Sequence, residues 1–175
     1  MFKNLFLDRD GVINEVVIRN AVVASPRRLE EFQLRTDFTT FSRGIEDRDV
    51  RLFVVSNQPD IARGLMDRAD LQAITRCLSD QFKFSEILYC DHDDADGCHC
   101  RKPKPGMITY LLDKFGLIAS ESLIVGDSGK DIMAGKAAGI KTVLLRTAYN
   151  RELKVQPDYQ VSSLWELIAG GFIAK

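Results

Sequence analysis

The chain has 175 residues, of which 45% are hydrophobic and 28% are charged, and its formal net charge is -1. Length and composition favour one globular domain over residues 1–175 and exclude a disordered or fibrous protein, while the near-neutral charge argues against nonspecific binding to nucleic acid or to a membrane surface. No apolar run reaches the ~18 residues of a spanning helix, and the N-terminus lacks the pattern of a secretory signal. We therefore expect a cytoplasmic protein and a monomer.

Five short apolar runs are typical of strands buried on both faces. These runs cover residues 3–7, 50–56, 85–90, 121–126 and 140–146. Segments with helical spacing lie between them, at residues 37–45, 67–82, 105–115 and 130–138. An edge strand at 159–161 and a short helix opened by Ser162 or Ser163 follow. The alternation predicts an α/β fold, a Rossmann-like open and mostly parallel sheet with helices on both faces.

Residues 14–34 interrupt this alternation after the first strand. Two apolar triplets flank Arg19 and Asn20 there, which predicts a small hairpin flap. The sequence contains no linker and no segment that favours a second domain or a large cap. We expect the flap to be the main addition to the sheet on this side of the molecule.

Carboxylates follow the first strand directly, in the run Asp8-Arg9-Asp10-Gly11. Alternate residues of an extended chain share a face, so we expect Asp8 and Asp10 to point into one cavity and Arg9 to point away. Two neighbouring carboxylates are stable together if a divalent cation lies between them or if one keeps its proton. By itself, the pair also fits a solvated acidic turn.

Polar residues follow the other strands as well, and ligands of such sheets bind at the carboxyl ends of the strands. Ser56 and Asn57 offer a hydroxyl and an amide suited to phosphate oxygens, although such residues also cap helices. Asp127 ends a later strand, and Lys102 follows Arg101 in a basic turn. A carboxylate pair, a hydroxyl, a fixed cation and a further carboxylate are what phosphoryl transfer needs, because a carboxylate nucleophile and a phosphate dianion repel each other.

The segments LDRDGVIN, VVSNQ, CRKP and VGDSGKD resemble, in this order, the four signature motifs of the haloacid dehalogenase superfamily of phosphatases. The match extends from residue 5 to about residue 167. The resemblance implies that Asp8 is the nucleophile that forms an aspartyl-phosphate and that Asp10 is the general acid and then the base. It implies that Ser56 holds the phosphoryl oxygens and that Lys102 balances the charge of the nucleophile. It also implies a Mg²⁺ ion bound by Asp8, Asp127 and the backbone carbonyl of Asp10.

A cluster of cysteine and histidine lies in the stretch YCDHDDADGCHCRKPKPG at residues 89–106. Its four candidate ligands form two close pairs, Cys90 with His92 and Cys98 with Cys100. Three thiolates and one imidazole predict a tetrahedral zinc site, and since no position is left for water, we expect the zinc to be structural. The alternative is a reduced loop without metal. His99 is expected outside the site, and Cys77 is expected to be a small buried residue of a helix.

Within the superfamily, a zinc loop that runs into CRKP resembles two groups without a large cap, the D-glycero-D-manno-heptose 1,7-bisphosphate phosphatases and the histidinol-phosphate phosphatases. NQPDIARG and CRKPKPGMI resemble the heptose group, which implies removal of the C7 phosphate. Pro59-Asp60, Ser128 and the apolar flap depart from that pattern. Candidates for contacts with the small sugar-phosphate substrate are Asn57, Arg63, Arg101, Ser128 and Arg19.

Two other classes of function stay open on the residues alone. A zinc-stabilised module could use the acidic rim to bind a cation or a phosphate without catalysis, although such a module does not need Lys102 beside two carboxylates. A nucleic-acid end phosphatase could carry similar motifs, but the near-neutral charge and the lack of an aromatic and basic groove argue against it.

Overall fold

The computed structural model describes residues 1–151 and 154–174. Its centre is a sheet of six parallel strands in the order β5-β4-β1-β6-β7-β8. The strands are β1 (Asn4–Leu7), β4 (Arg51–Asn57), β5 (Glu86–Cys90), β6 (Ser122–Gly126), β7 (Lys141–Leu145) and β8 (Tyr159–Val161), and a separate hairpin pairs β2 (Val17–Arg19) with β3 (Val22–Ala24). The prediction of an open, mostly parallel α/β sheet is confirmed.

Five α-helices connect the strands or follow them in the described ranges. They are α1 (Thr36–Gly44), α2 (Arg68–Gln81), α3 (Gly106–Phe115), α4 (Gly129–Ala137) and α5 (Trp165–Ala169), with short 3-10 turns at Leu29–Glu31, Asp94–Asp96 and Ala119–Glu121. The four longer helices lie within a residue of the predicted ranges. The last helix begins later than predicted, after Leu164 as its cap, and the backbone N–H of Ser162 instead donates to the carboxylate of Glu166.

Successive side chains of β1 point to opposite faces of the sheet, so the strand contributes to two separate layers of the core. Leu5 and Leu7 pack with residues of α1 and α5, including Phe38 and Leu167. Phe6 faces the opposite side and packs with residues of α3 and α4. Both faces of the sheet are therefore covered by helices, which explains why the strands read as continuous apolar runs.

The order of the strands places the site. From β1 the chain moves outward to β4 and β5, then returns across the sheet to β6 on the other side of β1. Such a reversal leaves a crevice at the carboxyl ends of the strands on either side of the switch point. The residues that follow β1, β4 and β6 therefore meet at one edge of the sheet.

The predicted flap is present as the β2–β3 hairpin. Asn20 and Ala21 form its turn with positive φ angles of 50° and 61°, the conformation that a two-residue hairpin turn requires. Arg19 donates to the carbonyl of Ser25 and pairs with Glu31, which attaches the flap to the 3-10 turn behind it. The flap is small, and residues 1–151 and 154–174 form no large cap over the sheet edge.

The helices of the described ranges are too short or too polar to cross a lipid bilayer.

Candidate active site

Lys102 joins two carboxylates at the floor of a cleft. Its side chain is only 2% exposed, and its Nζ lies 3.0 Å from Oδ1 of Asp8. The same ammonium donates a hydrogen bond to Oδ1 of the buried Asp131. Burial opposes the charge of Lys102, but the two carboxylates outweigh it and raise its pKa above the ordinary value. Lys102 is thus a fixed cation beside the predicted nucleophile.

Asp131 holds Lys102 from within helix α4. Its Oδ2 accepts hydrogen bonds from the hydroxyl and the backbone N–H of Ser128, which closes the first turn of the helix. Gly126 makes room for this carboxylate, because a Cβ at that position would lie 2.2 Å from the Cβ of Asp131. The hydroxyl of Ser128 is therefore engaged with Asp131, although Ser128 also lines the cleft.

Asp127 follows β6 and approaches Asp8 closely. One oxygen each from Asp8, Asp127 and Asp131 can be chosen so that all lie within 4.8 Å of one another. Burial raises the pKa of Asp8 to about 6 and that of Asp127 to about 8, and repulsion from the neighbouring carboxylates adds to both shifts. This excess of negative charge suits a divalent cation bound by oxygen ligands.

Gly11 permits the loop after β1 to approach Asp127, which follows β6, closely. Its φ is +83°, and a Cβ there would lie 1.9 Å from Oδ2 of Asp127. A side chain at position 11 would therefore clash with Asp127 and Tyr149.

Two residues after β7 hold Asp127 in place, and sequence reasoning did not identify them. The hydroxyl of Tyr149 donates to Oδ2 of Asp127, and Nδ2 of Asn150 donates to the backbone carbonyls of Asp127 and Leu145 at 2.9 and 2.8 Å. A tyrosine and an asparagine in the loop TAYN carry no motif, so only their position in the fold reveals this role.

Asp10 is surrounded by hydrogen-bond donors. Arg9 binds its carboxylate with Nε and Nη2 at 3.0 and 3.1 Å, Asn14 donates at 2.9 Å and Gln58 donates at 2.8 Å. Burial opposes the negative charge, but Arg9 and the other donors lower the pKa of Asp10 below its ordinary value. Arg9 is not among the residues that line the cleft, in agreement with the expectation that it points away. Its fully buried guanidinium turns back to Asp10 and lies over the ring of Tyr89.

Ser56 and Asn57 end β4 beside this group. Ser56 is buried, and its Oγ accepts a hydrogen bond of 3.1 Å from Nε2 of Gln58. Asn57 exchanges two hydrogen bonds with the backbone of Lys102, donating to its carbonyl at 2.9 Å and accepting from its N–H at 3.0 Å. Asn57 lines the cleft, but its amide is used to fix the position of Lys102.

The cysteine and histidine cluster forms next to Lys102. The Sγ atoms of Cys90, Cys98 and Cys100 lie 3.1 to 3.6 Å apart, and Nδ1 of His92 lies 3.6 and 3.4 Å from two of them. Tetrahedral zinc with sulfur ligands requires edges of about 3.8 Å, so the four donor atoms fit such an ion. The thiols are free of disulfides. His99 is not part of the cluster, and Cys77 is only partly buried, less than expected.

One cleft of about 850 Å³ contains the catalytic candidates and the candidate substrate contacts. Its lining includes Asp8, Asp10, Ser56, Asn57, Arg63, Arg101, Lys102, Asp127 and Ser128. The zinc-type cluster lies outside the lining, but Arg101 connects the two: its Nε donates to Asp94 at 2.6 Å and its Nη1 to the carbonyl of His92 at 3.3 Å. Arg63 binds Asp93 of the same loop through two hydrogen bonds of 2.7 Å.

Comparison with known proteins agrees with this geometry. The HAD-hydrolase-like family model matches residues 99–167. The chain is 34% identical over 155 residues to the D-glycero-alpha-D-manno-heptose-1,7-bisphosphate 7-phosphatase of Campylobacter jejuni, with 86% of each chain covered. It is 32% identical to the D-glycero-beta-D-manno-heptose-1,7-bisphosphate 7-phosphatase of Haemophilus ducreyi, with 95% of this chain and 96% of the relative covered.

Solved structures show the same similarity. The D,D-heptose 1,7-bisphosphate phosphatase of B. bronchiseptica, crystallised with magnesium and phosphate, superposes with a TM-score of 0.84 at 28% identity and 98% coverage of both chains. A HAD-like phosphatase from Mesorhizobium loti gives a TM-score of 0.76 at 30% identity, with 96% of this chain and 85% of that chain covered. The chain therefore belongs to the haloacid dehalogenase-like phosphatases, in the group that contains the heptose-1,7-bisphosphate 7-phosphatases.

Proposed function

We propose that this protein is a Mg²⁺-dependent phosphomonoesterase that removes the C7 phosphate of D-glycero-D-manno-heptose 1,7-bisphosphate. The observation that carries the proposal is the buried Lys102 between Asp8 and Asp131, with Asp127 beside them on the floor of one cleft. The relatives with heptose bisphosphate phosphatase names, which align over most of the chain, support the substrate.

In the first half of the proposed reaction, a carboxylate oxygen of Asp8 attacks phosphorus while the bond from phosphorus to the sugar oxygen breaks. Asp10 gives a proton to that departing oxygen. The product bound to the enzyme is an aspartyl-phosphate on Asp8, and the dephosphorylated sugar leaves. Lys102 is close enough to Asp8 to hold it ionised and to offset charge on the phosphoryl group.

In the second half, water attacks the phosphorus and the bond to Asp8 breaks. Asp10 accepts a proton from this water, which returns Asp10 to the acid form and Asp8 to the free carboxylate. Burial opposes the ionisation of Asp10, but Arg9 outweighs it and lowers the pKa of Asp10. Asp10 is therefore ionised before substrate binds. The first half therefore requires that Asp10 gains its proton with the substrate in place.

Asp8, Asp127 and the backbone carbonyl of Asp10 would hold the Mg²⁺ ion. When bound there, the ion supplies positive charge to the phosphoryl oxygens and to the nucleophile. The raised pKa values of Asp8 and Asp127 support this assignment, because burial and nearby carboxylates make both groups resist ionisation without a cation. Asp131 is a poorer ligand, since Lys102 and Ser128 already occupy its oxygens.

The cysteine and histidine cluster, in this proposal, binds a structural zinc ion. The spacing of its four donor atoms supports tetrahedral coordination, and the following residues Arg101 and Lys102 enter the cleft. The zinc ion would fix the loop, and the loop would fix the positions of the Arg101 and Lys102 side chains.

Arginines on the outer wall of the cleft suit a second phosphate remote from the reacting centre. Arg19, Arg63 and Arg101 line this wall, and each is paired with a carboxylate of the protein. A substrate phosphate can therefore share these cations without a large rearrangement. The site is complete within one chain, which supports the expectation of a monomer, and the small substrate supports the expectation of a cytoplasmic enzyme.

A cation-binding module without catalysis explains the site less well. Such a module would gain nothing from a lysine buried between Asp8 and Asp131, because the ammonium repels the cation that the module would bind.

The test is phosphate release by the purified protein, first with p-nitrophenyl phosphate with and without Mg²⁺. The second stage ranks kcat/KM for the α and β anomers of the heptose bisphosphate, for histidinol phosphate and for common sugar phosphates. We expect activity only with Mg²⁺ and the highest kcat/KM for one of the heptose anomers. A higher value for histidinol phosphate would overturn the substrate, and no Mg²⁺-dependent release from any ester would overturn the enzymatic function.

A further inference from the structure

Gln58 connects Asp10, the proposed general acid, with Ser56, the proposed donor to the phosphoryl oxygens. Its Nε2 donates one hydrogen bond to Oδ2 of Asp10 at 2.8 Å and one to Oγ of Ser56 at 3.1 Å. A primary amide has two N–H hydrogens, and these two bonds use both of them. Gln58 is only 1% exposed and lines the cleft behind Ser56 and Asp10.

When Asp10 is ionised, the amide of Gln58 takes one orientation in this site. With Oε1 turned toward Asp10, an acceptor would face an ionised carboxylate, so Nε2 must occupy that side. The opposite atom, Oε1, is buried and lacks a hydrogen-bond partner among the described residues. Leaving a buried acceptor unpaired is unfavourable. The two hydrogen bonds donated by Nε2 are thus kept although Oε1 accepts none from the described residues.

The backbone of Gln58 is fixed independently of its side chain. Its N–H donates to the carbonyl of Cys90 at 2.7 Å, at the point where β5 enters the cysteine and histidine cluster. The side chain therefore projects from a position that two adjacent strands determine, which gives its amide a defined direction.

We propose that Gln58 is a positioning residue that sets the direction of the Ser56 hydroxyl and of the Asp10 carboxylate. Because Gln58 donates to Oγ of Ser56, that oxygen acts as an acceptor on its inner side, and its own hydrogen is turned toward the cleft. Ser56 then offers a donor to a phosphoryl oxygen. The same amide holds Oδ2 of Asp10, so the acid and the phosphate donor keep a constant separation. This inference rests on the proposed phosphatase function.

A positioning role predicts a loss that depends on the leaving group. The substitution Gln58→Met keeps the length of the side chain and removes both hydrogen bonds. General acid catalysis contributes about 10²–10⁴-fold when the departing oxygen needs a proton. We therefore expect kcat/KM to fall by about 30-fold for an alkyl phosphate such as the heptose ester. For p-nitrophenyl phosphate, whose leaving group needs little protonation, we expect a smaller fall of about 5-fold through Ser56 alone.

A double-mutant cycle separates the Ser56 part of the effect. If Gln58 acts on p-nitrophenyl phosphate by directing the hydroxyl of Ser56, Gln58→Met should have less than about a 2-fold effect in a Ser56→Ala background. Equal effects in both backgrounds, together with equal losses for the alkyl and aryl esters, would show that Gln58 only fills space and would overturn the inference.

Gln58→Glu provides a second variant of the same shape, in case Gln58→Met does not fold. A carboxyl group carries at most one hydrogen, so it cannot donate to Asp10 and to Ser56 together, and we expect a loss of kcat/KM for at least one of the two esters. Full activity of Gln58→Glu on both esters would refute the inference. If the wild-type protein hydrolyses both esters and the variants lose both equally, only the role of Gln58 fails; if the wild type hydrolyses neither, the proposed function fails with it.

Discussion

The two clusters of candidate metal-binding side chains are built in opposite ways. The four residues of the cysteine and histidine cluster lie within residues 90–100, so a short loop brings them together. The carboxylate cluster draws Asp8, Asp127 and Asp131 from two distant parts of the chain and adds Lys102 from a third. The local cluster can form from one loop, whereas the carboxylate cluster requires the whole sheet.

The two clusters also differ in their expected roles: the cysteine and histidine cluster is expected to be structural, and the carboxylate cluster is expected to be catalytic. The sulfur and nitrogen donors enclose one point and leave no open position, as in a structural zinc site. The carboxylates lie at the floor of an open cleft of about 850 Å³, where burial and neighbouring carboxylates raise the pKa values of Asp8 and Asp127. Loss of the first cluster should therefore reduce stability and activity together, while changes in the second should affect activity and leave the fold intact.

The largest expected effect is that of Asp8→Asn. The substitution keeps the shape of the side chain and removes the nucleophilic carboxylate, so kcat should fall by about 10⁴-fold or more. Zinc content and Tm should remain close to those of the wild type, because the cysteine and histidine cluster forms without Asp8. Phosphate release measured beside metal analysis checks both parts. Retained turnover would remove Asp8 from its role and would break the division between the two clusters.

Mg²⁺ affinity should depend strongly on pH. The pKa values of about 6 for Asp8 and about 8 for Asp127 mean that protons compete with Mg²⁺ for both carboxylates. Between pH 8 and pH 6, the apparent affinity should fall roughly 10- to 100-fold. Calorimetric titration at several pH values measures this change, and Asp127→Asn should remove most of it. An affinity independent of pH would contradict the assignment of these ligands.

The same pKa shifts give a prediction for stability. A carboxyl group with a raised pKa in the folded state binds protons more tightly there than in the unfolded chain, so its contribution to stability decreases as pH rises through the folded-state pKa. In the metal-free protein, this loss begins near the ordinary pKa of 3.8 and is complete above about pH 6 for Asp8 and above about pH 8 for Asp127. Addition of Mg²⁺ should therefore raise Tm more at pH 8 than at pH 6. The opposite order in thermal unfolding would show that the ion binds elsewhere.

The cysteine and histidine cluster should show the reverse pattern of effects. Cys98→Ser should release zinc and lower Tm by about 10 °C, since a domain of this size loses about 2–4 °C for each kcal/mol of stability. We expect kcat/KM to fall by about 10-fold, because the loop that leads into Lys102 is no longer held. Cys77→Ser is the matched control, since Cys77 lies outside the cluster. Equal zinc content in both variants would refute the site.

Arg101 should show the smallest effect and sharpen the comparison, because it lies between the two clusters. For Arg101→Gln, we expect KM for the heptose bisphosphate to rise by about 5- to 10-fold with little change for p-nitrophenyl phosphate, which lacks a second phosphate. Arg68→Gln is the control: Arg68 pairs with Asp91 of the same loop, but it is not among the residues that line the cleft. Equal changes in the two variants would show that loop stability, not contact with substrate, is responsible.

The sequence by itself predicted the elements that depend on local patterns. Continuous apolar runs with helical segments between them determined the parallel sheet, because both faces of such a sheet are buried. The four ligands of the zinc-type site were predicted for a similar reason, since they are close in the chain. Asp8, Asp10 and Asp127 became candidates because they follow strands, and the carboxyl ends of parallel strands meet at one edge of the sheet.

Only the tertiary structure decided how these side chains are held. Tyr149 and Asn150 contact the site through hydrogen bonds that cross between loops, and no local pattern marks them. Gln58 lies within the motif VVSNQ, but only the fold shows that its amide binds Asp10 and Ser56. Arg9 lies outside the cleft lining, as strand alternation predicts, and only the fold shows that its long side chain turns back to a neighbouring carboxylate. Local sequence therefore determined which residues reach the sheet edge, and long-range packing determined which partners orient and charge them.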